Sequence, residues 1–239
     1  MIYGWRGKIG LIYPAAGVAG DMDFHRMAPE GVAIVTTRMP LEKADAEGLI
    51  KMAAEVEKNA SLLAQARPDI IIFGCTTGSL VKGIGYDKEI IDRIQNHVHM
   101  AAITTSTAVI ESFLALKLKK IAVVTPYIDD LNQREKVFIE KSGFQVTAIK
   151  GLGVLDANEM QNVRHEQMYR LAKEVFTEDA DALFISCTGI AVIDIIEPLE
   201  KDLNRPVVTS NQATMWRALR KIGIRETVNR LGKLFQDNT

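Results

Sequence analysis

Several features that would quickly classify a chain are missing from this sequence. Only two cysteines occur in 239 residues, which leaves no disulfide framework. No apolar run approaches the ~20 residues a helix needs to span a membrane. Basic and acidic residues nearly cancel, 29 against 30, giving a net charge of −1. That balance argues against nucleic acid or an anionic membrane as the main partner. The short basic run Lys117-Leu118-Lys119-Lys120 reads as the solvated end of a helix. The opening Met1-Ile2-Tyr3-Gly4-Trp5-Arg6 lacks the charged and then apolar regions of a signal peptide. A cytoplasmic, reducing location is therefore expected, and a Cys75–Cys187 disulfide is disfavoured. There is no P-loop, and Gly83-Ile84-Gly85 is not a full dinucleotide fingerprint between a strand and a helix. No bound organic cofactor is implied.

What remains is an ordinary globular composition, 47% hydrophobic and 25% charged, in a length that suits one large domain or two moderate ones. Apolar, β-branched runs predict strands at Lys8–Tyr13, Val32–Thr37, Asp69–Thr76, Ala101–Thr104, Lys120–Thr125, Phe144–Ile149, Asp181–Thr188 and Pro206–Thr209. Helical spacing predicts helices over 44–66, 87–96, 108–118, 130–142, 161–177 and 212–219, a mostly helical stretch up to Lys201, and a terminal helix at Val228–Phe235. Strands alternating with helices give an α/β protein with mostly parallel sheets.

The chain also repeats itself. Lys8 and Lys120, Pro14 and Pro126, Asp69 and Asp181, and Cys75 and Cys187 all stand 112 positions apart, and Thr76 and Thr188 share that offset. The period is too long for a solenoid. It fits a duplicated α/β unit: an N-terminal lobe over 1–108, with the terminal segment 220–239 returning to pack on it, and a C-terminal lobe over 109–219. The strand-end loops of the two lobes would face one another, and ligands of such sheets bind outside the carboxyl ends of the strands.

Both cysteines fall at those ends, in Gly74-Cys75-Thr76-Thr77 and Ser186-Cys187-Thr188-Gly189. An isolated free cysteine is usually a small buried hydrophobe. Here each is placed beside threonine and before an expected helix, whose unpaired N–H groups would favour thiolate and lower a reference pKa of about 8.5. The same loops would favour a carboxylate ligand. Thr76, Thr77, Ser79, Tyr127 and Thr188 can donate to carboxylate oxygens, which gather charge when a proton leaves the neighbouring carbon. Each hydroxyl taken singly is about as well explained as a helix cap. His97-Val98-His99 has metal-ligand spacing but no carboxylate to complete a set, and it reads as a solvated pair. His25 and His165 stand alone and read as structural. Asp129-Asp130 is explained by capping of the following helix.

These motifs resemble the aspartate/glutamate racemase superfamily, and within it the branch of arylmalonate decarboxylases and maleate cis-trans isomerases. The likeness is carried by Pro14-Ala15-Ala16-Gly17, Gly74-Cys75-Thr76-Thr77-Gly78-Ser79, Thr104-Thr105-Ser106-Thr107-Ala108, Thr125-Pro126-Tyr127-Ile128-Asp129-Asp130-Leu131-Asn132 and Ser186-Cys187-Thr188-Gly189. It implies two pseudo-symmetric lobes, a cleft active site and no cofactor. It also implies a carboxylate pocket at Thr76, Thr77, Tyr127 and the Cys187–Thr188 loop, with Pro14 in the facing loop. In the branch, the residue matched by Cys187 protonates an enediolate or supplies a proton. The residue matched by Cys75 is glycine in the decarboxylase, and in the isomerase a cysteine thought to add to the double bond. The Pro14 loop resembles the decarboxylase and lacks the Ser-Ser-Asn stretch of maleate isomerases.

The expectation is a cofactor-independent isomerase or racemase of a small carboxylic or dicarboxylic acid that uses Cys75 and Cys187, with maleate cis-trans isomerisation as its most specific form. The alternatives are decarboxylation of a malonate with Cys187 as proton donor, and a non-catalytic protein that binds a small acid. The expected partner is a small carboxylate, with no nucleic acid and no membrane. A homo-oligomer is compatible with the chain.

Overall fold

The computed structural model describes residues 2–236. Met1 and residues 237–239, the outer ends of the expected lobe segments, lie outside the described residues. Eight short strands form two sheets of four. In the first, β1 (Gly7–Pro14) pairs with β2 (Val32–Met39) on one side and with β3 (Ile70–Phe73) on the other, and β4 (Ala102–Thr104) lies beyond β3. In the second, β5 (Lys120–Thr125) lies between β6 (Gln145–Gly151) and β7 (Ala182–Ile185), with β8 (Val207–Thr209) outermost. Every pairing is parallel, and the orders β2-β1-β3-β4 and β6-β5-β7-β8 are the same. This is the α/β, two-sheet architecture expected from the sequence.

The repeated landmarks have a physical explanation. The Lys8 amide donates to the Asp69 carboxylate at 2.7 Å and the Asp69 amide returns to the Lys8 carbonyl at 2.8 Å. Lys120 and Asp181 make the same pair of bonds, at 2.9 and 2.8 Å. Each aspartate thus ties the starts of two neighbouring central strands. Ile70–Phe73 and Ala182–Ile185 are buried throughout, as strands covered on both faces must be.

Helices cover the sheets. The first half contains α1 (Ala19–Met27), α2 (Ala46–Ala54), α3 (Val56–Ala64), α4 (Thr76–Leu80), α5 (Tyr86–Val98) and α6 (Thr105–Ala115). The second contains α7 (Asp129–Lys141), α8 (His165–Val175), α9 (Ile196–Leu203), α10 (Ser210–Lys221) and α11 (Gly232–Gln236). Among the described residues, no helix is long and apolar enough to cross a membrane. The helices α6 and α10 occupy equivalent places after β4 and β8 and pack on each other. Each also reaches the opposite sheet, α6 touching β8 and α10 touching β3. Phe113 of α6 lies edge-on to Phe144 and Phe184 of the second half, with ring centroids 5.3 and 5.5 Å apart. The expected lobe boundary at 108/109 therefore falls inside a helix shared by both sheets.

Four elements differ from expectation. The helix expected over 44–66 is broken at Glu55, whose N–H turns to the Met52 carbonyl while the Asn59 side chain takes the Glu55 carbonyl at 2.9 Å. The helix expected from Gln161 starts at His165, after a 3-10 turn over Glu159–Asn162. The helix α1 follows a stretch that reads as a small-residue loop, because Gly17 and Gly20 weaken its helical signal. Those glycines are needed for close approach, since a Cβ at either would lie 2.6 Å from the Tyr13 ring. The terminal helix is short, starts at Gly232, and packs on α9, β8 and α10, on the second sheet's side. The chain leading to it does pass the first sheet, where Arg6 holds Glu226 through two bonds of 3.0 Å.

Candidate active site

Both central strands of each sheet end at one cleft, and four strand-end segments line it: Tyr13-Pro14, Cys75 with Thr77, Tyr127, and Cys187-Thr188-Gly189. The cavity between them, about 40 Å³ for the centres of water-sized molecules, has room for only a small ligand. Its far wall is apolar, formed by Leu41, Ala44 and Leu49 of the first half and Ala157 and Met160 of the second. Leu41, Ala44 and Ala157 arrive on two loops that follow β2 and β6, equivalent strands in the two sheets, while Leu49 stands on α2 and Met160 on the 3-10 turn. The loops meet antiparallel above the cavity: the Ala44 amide donates to the Leu155 carbonyl at 3.0 Å, and the Ala157 amide to Glu42 at 3.1 Å.

Cys75 is the N-cap of α4, and the Gly78 amide donates to its sulfur at 3.4 Å. A side chain at 78 would place a Cβ 3.0 Å from that sulfur, so glycine lets the thiol lie against the helix start. The Gly78 amide and the Thr77 hydroxyl favour the thiolate, but complete burial outweighs them and pushes the thiol up to about 11. The helix start at Cys75 thus fails to lower the thiol pKa as the strand-to-helix pattern implies.

Cys187 is not followed by a helix. The chain turns sharply, with Cys187 at φ 122, a conformation a non-glycine residue adopts at a cost of roughly 1–3 kcal/mol. Two bonds hold it there. Its amide donates to Ser210 Oγ at 3.0 Å, and the Gly189 amide donates to its own sulfur at 3.2 Å. Burial pushes this thiol up to about 12, against the pull of hydrogen bonds from Tyr127 and Gly189. Burial likewise raises Tyr127 well above the usual phenol range.

The cavity gathers six of the seven residues singled out in the sequence: Pro14, Cys75, Thr77, Tyr127, Cys187 and Thr188. The seventh, Thr76, is buried behind them and donates its hydroxyl to Ser210 Oγ at 2.9 Å. The Thr188 hydroxyl is also committed, to the Gly74 carbonyl at 3.1 Å, and Ser79 to carbonyls within α4's first turn. Thr77 and Tyr127 line the cavity. The amides of Thr76 and Thr77, in the first turn of α4, have no intrahelical carbonyl to meet.

Several contributors were not legible as site residues. Tyr13 is buried and donates to the Thr188 carbonyl at 2.7 Å, tying the first half's loop to the second cysteine loop. Its place directly before Pro14 was the one available signal. Arg38 stacks 5.3 Å from the Tyr13 ring and donates to the Gly17 carbonyl at 2.5 Å, so it shapes the Pro14–Gly17 loop. The wall residues Leu41, Ala44, Leu49, Ala157 and Met160 carry no motif. Elsewhere, His97 meets Ser61 at 2.8 Å and Asp130 pairs with Arg134 at 2.9 Å. Among the described residues, no group of three or more His, Cys, Asp or Glu could hold a metal ion.

Residues 9–235 match the family model described as arylmalonate decarboxylase. The chain is 25% identical to a maleate isomerase of Nocardia farcinica over 97% of its own length and 96% of the relative's. It is 27% identical to an arylmalonate decarboxylase of Bordetella bronchiseptica, over 90% of each. A cysteine-to-serine mutant of the Nocardia farcinica maleate cis-trans isomerase, solved with a covalently bound succinylcysteine intermediate, superposes with a TM-score of 0.94 at 23% identity. That superposition covers 98% of this chain and 99% of the other.

Proposed function

The chain belongs to the arylmalonate decarboxylase family over residues 9–235, and from that premise we propose that it is a cofactor-independent isomerase or racemase of a small carboxylic acid, worked by Cys75 and Cys187. The observation that carries this reading is one small cavity lined by both thiols, each from the end of an equivalent strand. The substrate carboxylate lies against the amides of Thr76 and Thr77 and the hydroxyls of Thr77 and Tyr127. There, donors meet the charge that builds on the oxygens as the α-carbon loses a proton. One cysteine, as thiolate, takes the α-proton. The resulting enediolate receives a proton on its other face from the second cysteine, which is left as thiolate. Pro14 and the Thr188 loop line the same cavity.

The far wall favours an acid whose α-substituent is apolar. A second carboxylate against Leu41, Ala44, Leu49, Ala157 and Met160 would meet no charged side chain, and an unpaired buried carboxylate costs several kcal/mol. A second reading, cis-trans isomerisation of maleate, is favoured by the relative named maleate isomerase and the succinylcysteine captured in its structure. On that route the Cys75 sulfur pair forms a C–S bond to one alkene carbon and Cys187 gives its proton to the other. After rotation the proton returns to Cys187 and the C–S bond breaks.

The test offers maleate, an arylmalonate and single enantiomers of 2-aryl acids to the purified protein in deuterated water. Deuterium at the α-carbon with loss of optical purity is the expected result, falling by about 100-fold or more in Cys75→Ala and in Cys187→Ala. Fumarate from maleate supports the second reading, and carbon dioxide from the arylmalonate the decarboxylase alternative. Turnover that survives both cysteine variants, or acid binding with no turnover at all, rejects two-cysteine catalysis.

A further inference from the structure

Behind the cavity, and not among the residues that line it, lies a carboxyl that the reaction above does not use. Glu135, on α7, is 1% exposed. Oε1 accepts a hydrogen bond from Ser186 Oγ at 2.6 Å, whereas Oε2 has no partner among the described residues. Around it stand Thr76 and Leu80 from α4, Ser106 and Ile110 from α6, and Phe184 from β7. None of these titrates, and among the described residues no cation pairs with Glu135. The titratable groups that feel its charge are Tyr127 and Cys187.

The connection to Cys187 runs through Ser186, the residue just before it. Ser186 Oγ lies 2.6 Å from Glu135 and 3.5 Å from the Tyr127 hydroxyl, and Tyr127 is the side chain that favours the Cys187 thiolate against burial. A serine hydroxyl has one hydrogen to give. If Glu135 is ionised, that hydrogen is held by the carboxylate, and Ser186 becomes an acceptor competing with Cys187 for the Tyr127 hydrogen. If Glu135 is neutral, its own O–H donates to Ser186, Ser186 donates to Tyr127, and the Tyr127 hydrogen is left to Cys187.

We propose that, in the substrate-free cleft, Glu135 is a positioning residue that acts on Cys187 through Ser186 and Tyr127, turning the whole hydrogen-bond chain toward the sulfur when its carboxyl is uncharged. Burial supports the assignment, since it keeps this carboxyl protonated up to about 7, where a surface glutamate is fully ionised. The neutral form helps Cys187 to hold a thiolate. The ionised form withdraws the hydrogen bond and adds a like charge. The inference rests on Cys187 as a proton carrier, but its test needs no substrate, so a failure of the proposed reaction leaves it standing.

The experiment measures iodoacetamide labelling of Cys75 and Cys187 separately, by peptide mass spectrometry, between pH 6 and 10 on the full chain. Glu135→Gln keeps a neutral donor to Ser186 at every pH. It is expected to label Cys187 at least threefold faster than the parent at pH 8.5–9.5 and equally fast at pH 6, with Cys75 unchanged. In the Ser186→Ala background the gain from Glu135→Gln is expected to fall by half or more. Equal Cys187 profiles for parent and Glu135→Gln would overturn the proposal, as would acceleration of both cysteines together, which marks a loosened fold. If Glu135→Gln gives no soluble protein, Ser186→Ala alone decides. Its Cys187 profile should lose the parent's departure from a single titration near pH 7, and a profile identical to the parent's overturns the proposal.

Discussion

A carboxyl buried as fully as that of Glu135 destabilises the fold once it must ionise. Its pKa rises from 4.5 in the unfolded chain to about 7 in the folded one. Below pH 4.5 the group is neutral in both states and has no effect. Between 4.5 and 7 the folded protein holds the proton more tightly, so stability falls as pH rises, and the loss is complete above 7. A shift of this size corresponds to roughly 3 kcal/mol. Glu135→Gln removes the titration. Its stability relative to the parent is therefore expected to increase from pH 4 to pH 8 by up to that amount, read from urea midpoints at each pH. A constant difference across that range would contradict the burial argument. At this scale the sequence was partly legible. Cys75 and Cys187 stood out because strand-end position and a shared offset are local patterns. The sign of their pKa shifts did not, because burial pushes both thiols up and burial is a property of the assembled cleft. Thr76 illustrates the same limit: its neighbours mark it as a substrate donor, yet its hydroxyl is claimed by Ser210, 134 positions away in sequence.

At the level of elements, α10 fixes the second cysteine loop from outside the sheet. Its cap is a box: Thr209 Oγ1 accepts from the Gln212 amide at 3.2 Å, and Gln212 Oε1 accepts from the Thr209 amide at 2.9 Å. Gln212 also donates to the Leu231 carbonyl at 2.7 Å, which anchors the chain entering α11. Thr209→Ala is expected to cost about 1–2 kcal/mol in chemical denaturation. Thr209→Ser, which keeps the hydroxyl, should recover much of that loss. The helices that sequence periodicity located well, α5, α6 and α7, are those with long amphipathic or capped stretches. The helix α4, expected after Cys75 but without bounds, has a poor local signal. The five residues of α4 are Thr-Thr-Gly-Ser-Leu, among them weak helix formers, and it exists because Cys75 caps it and its neighbours bury it completely. The break at Glu55 was hidden for the opposite reason, since helical spacing continues across it and only the shift of the Glu55 amide to the Met52 carbonyl marks the turn.

For the whole molecule, the repeat suggests two lobes that could be independent, whereas the packing joins them. Phe113 is fully buried on α6, a helix of the first half, yet its ring partners Phe144 and Phe184 belong to the second. The reciprocal helix α10 reaches β3. Hydrogen bonds also cross the cleft, from Tyr13 to the Thr188 carbonyl and from Asn211 to Asp23 at 2.9 Å. Arg26 and Asp194 add a bidentate ion pair at the surface, but exposed pairs of this kind contribute at most about 1 kcal/mol. The aromatic contacts stabilise the join more strongly. Removing a buried phenylalanine costs about 3–5 kcal/mol, and here the loss falls on both halves at once. Calorimetry of the parent is therefore expected to show one cooperative transition. Phe113→Ala should lower that transition as a whole without splitting it, because neither sheet retains a complete core when α6 is loosened. Two resolved transitions in the parent, or a variant in which only one half melts early, would show that the duplicated units fold separately. The cleft between them would then be a docking of two domains and not the interior of one.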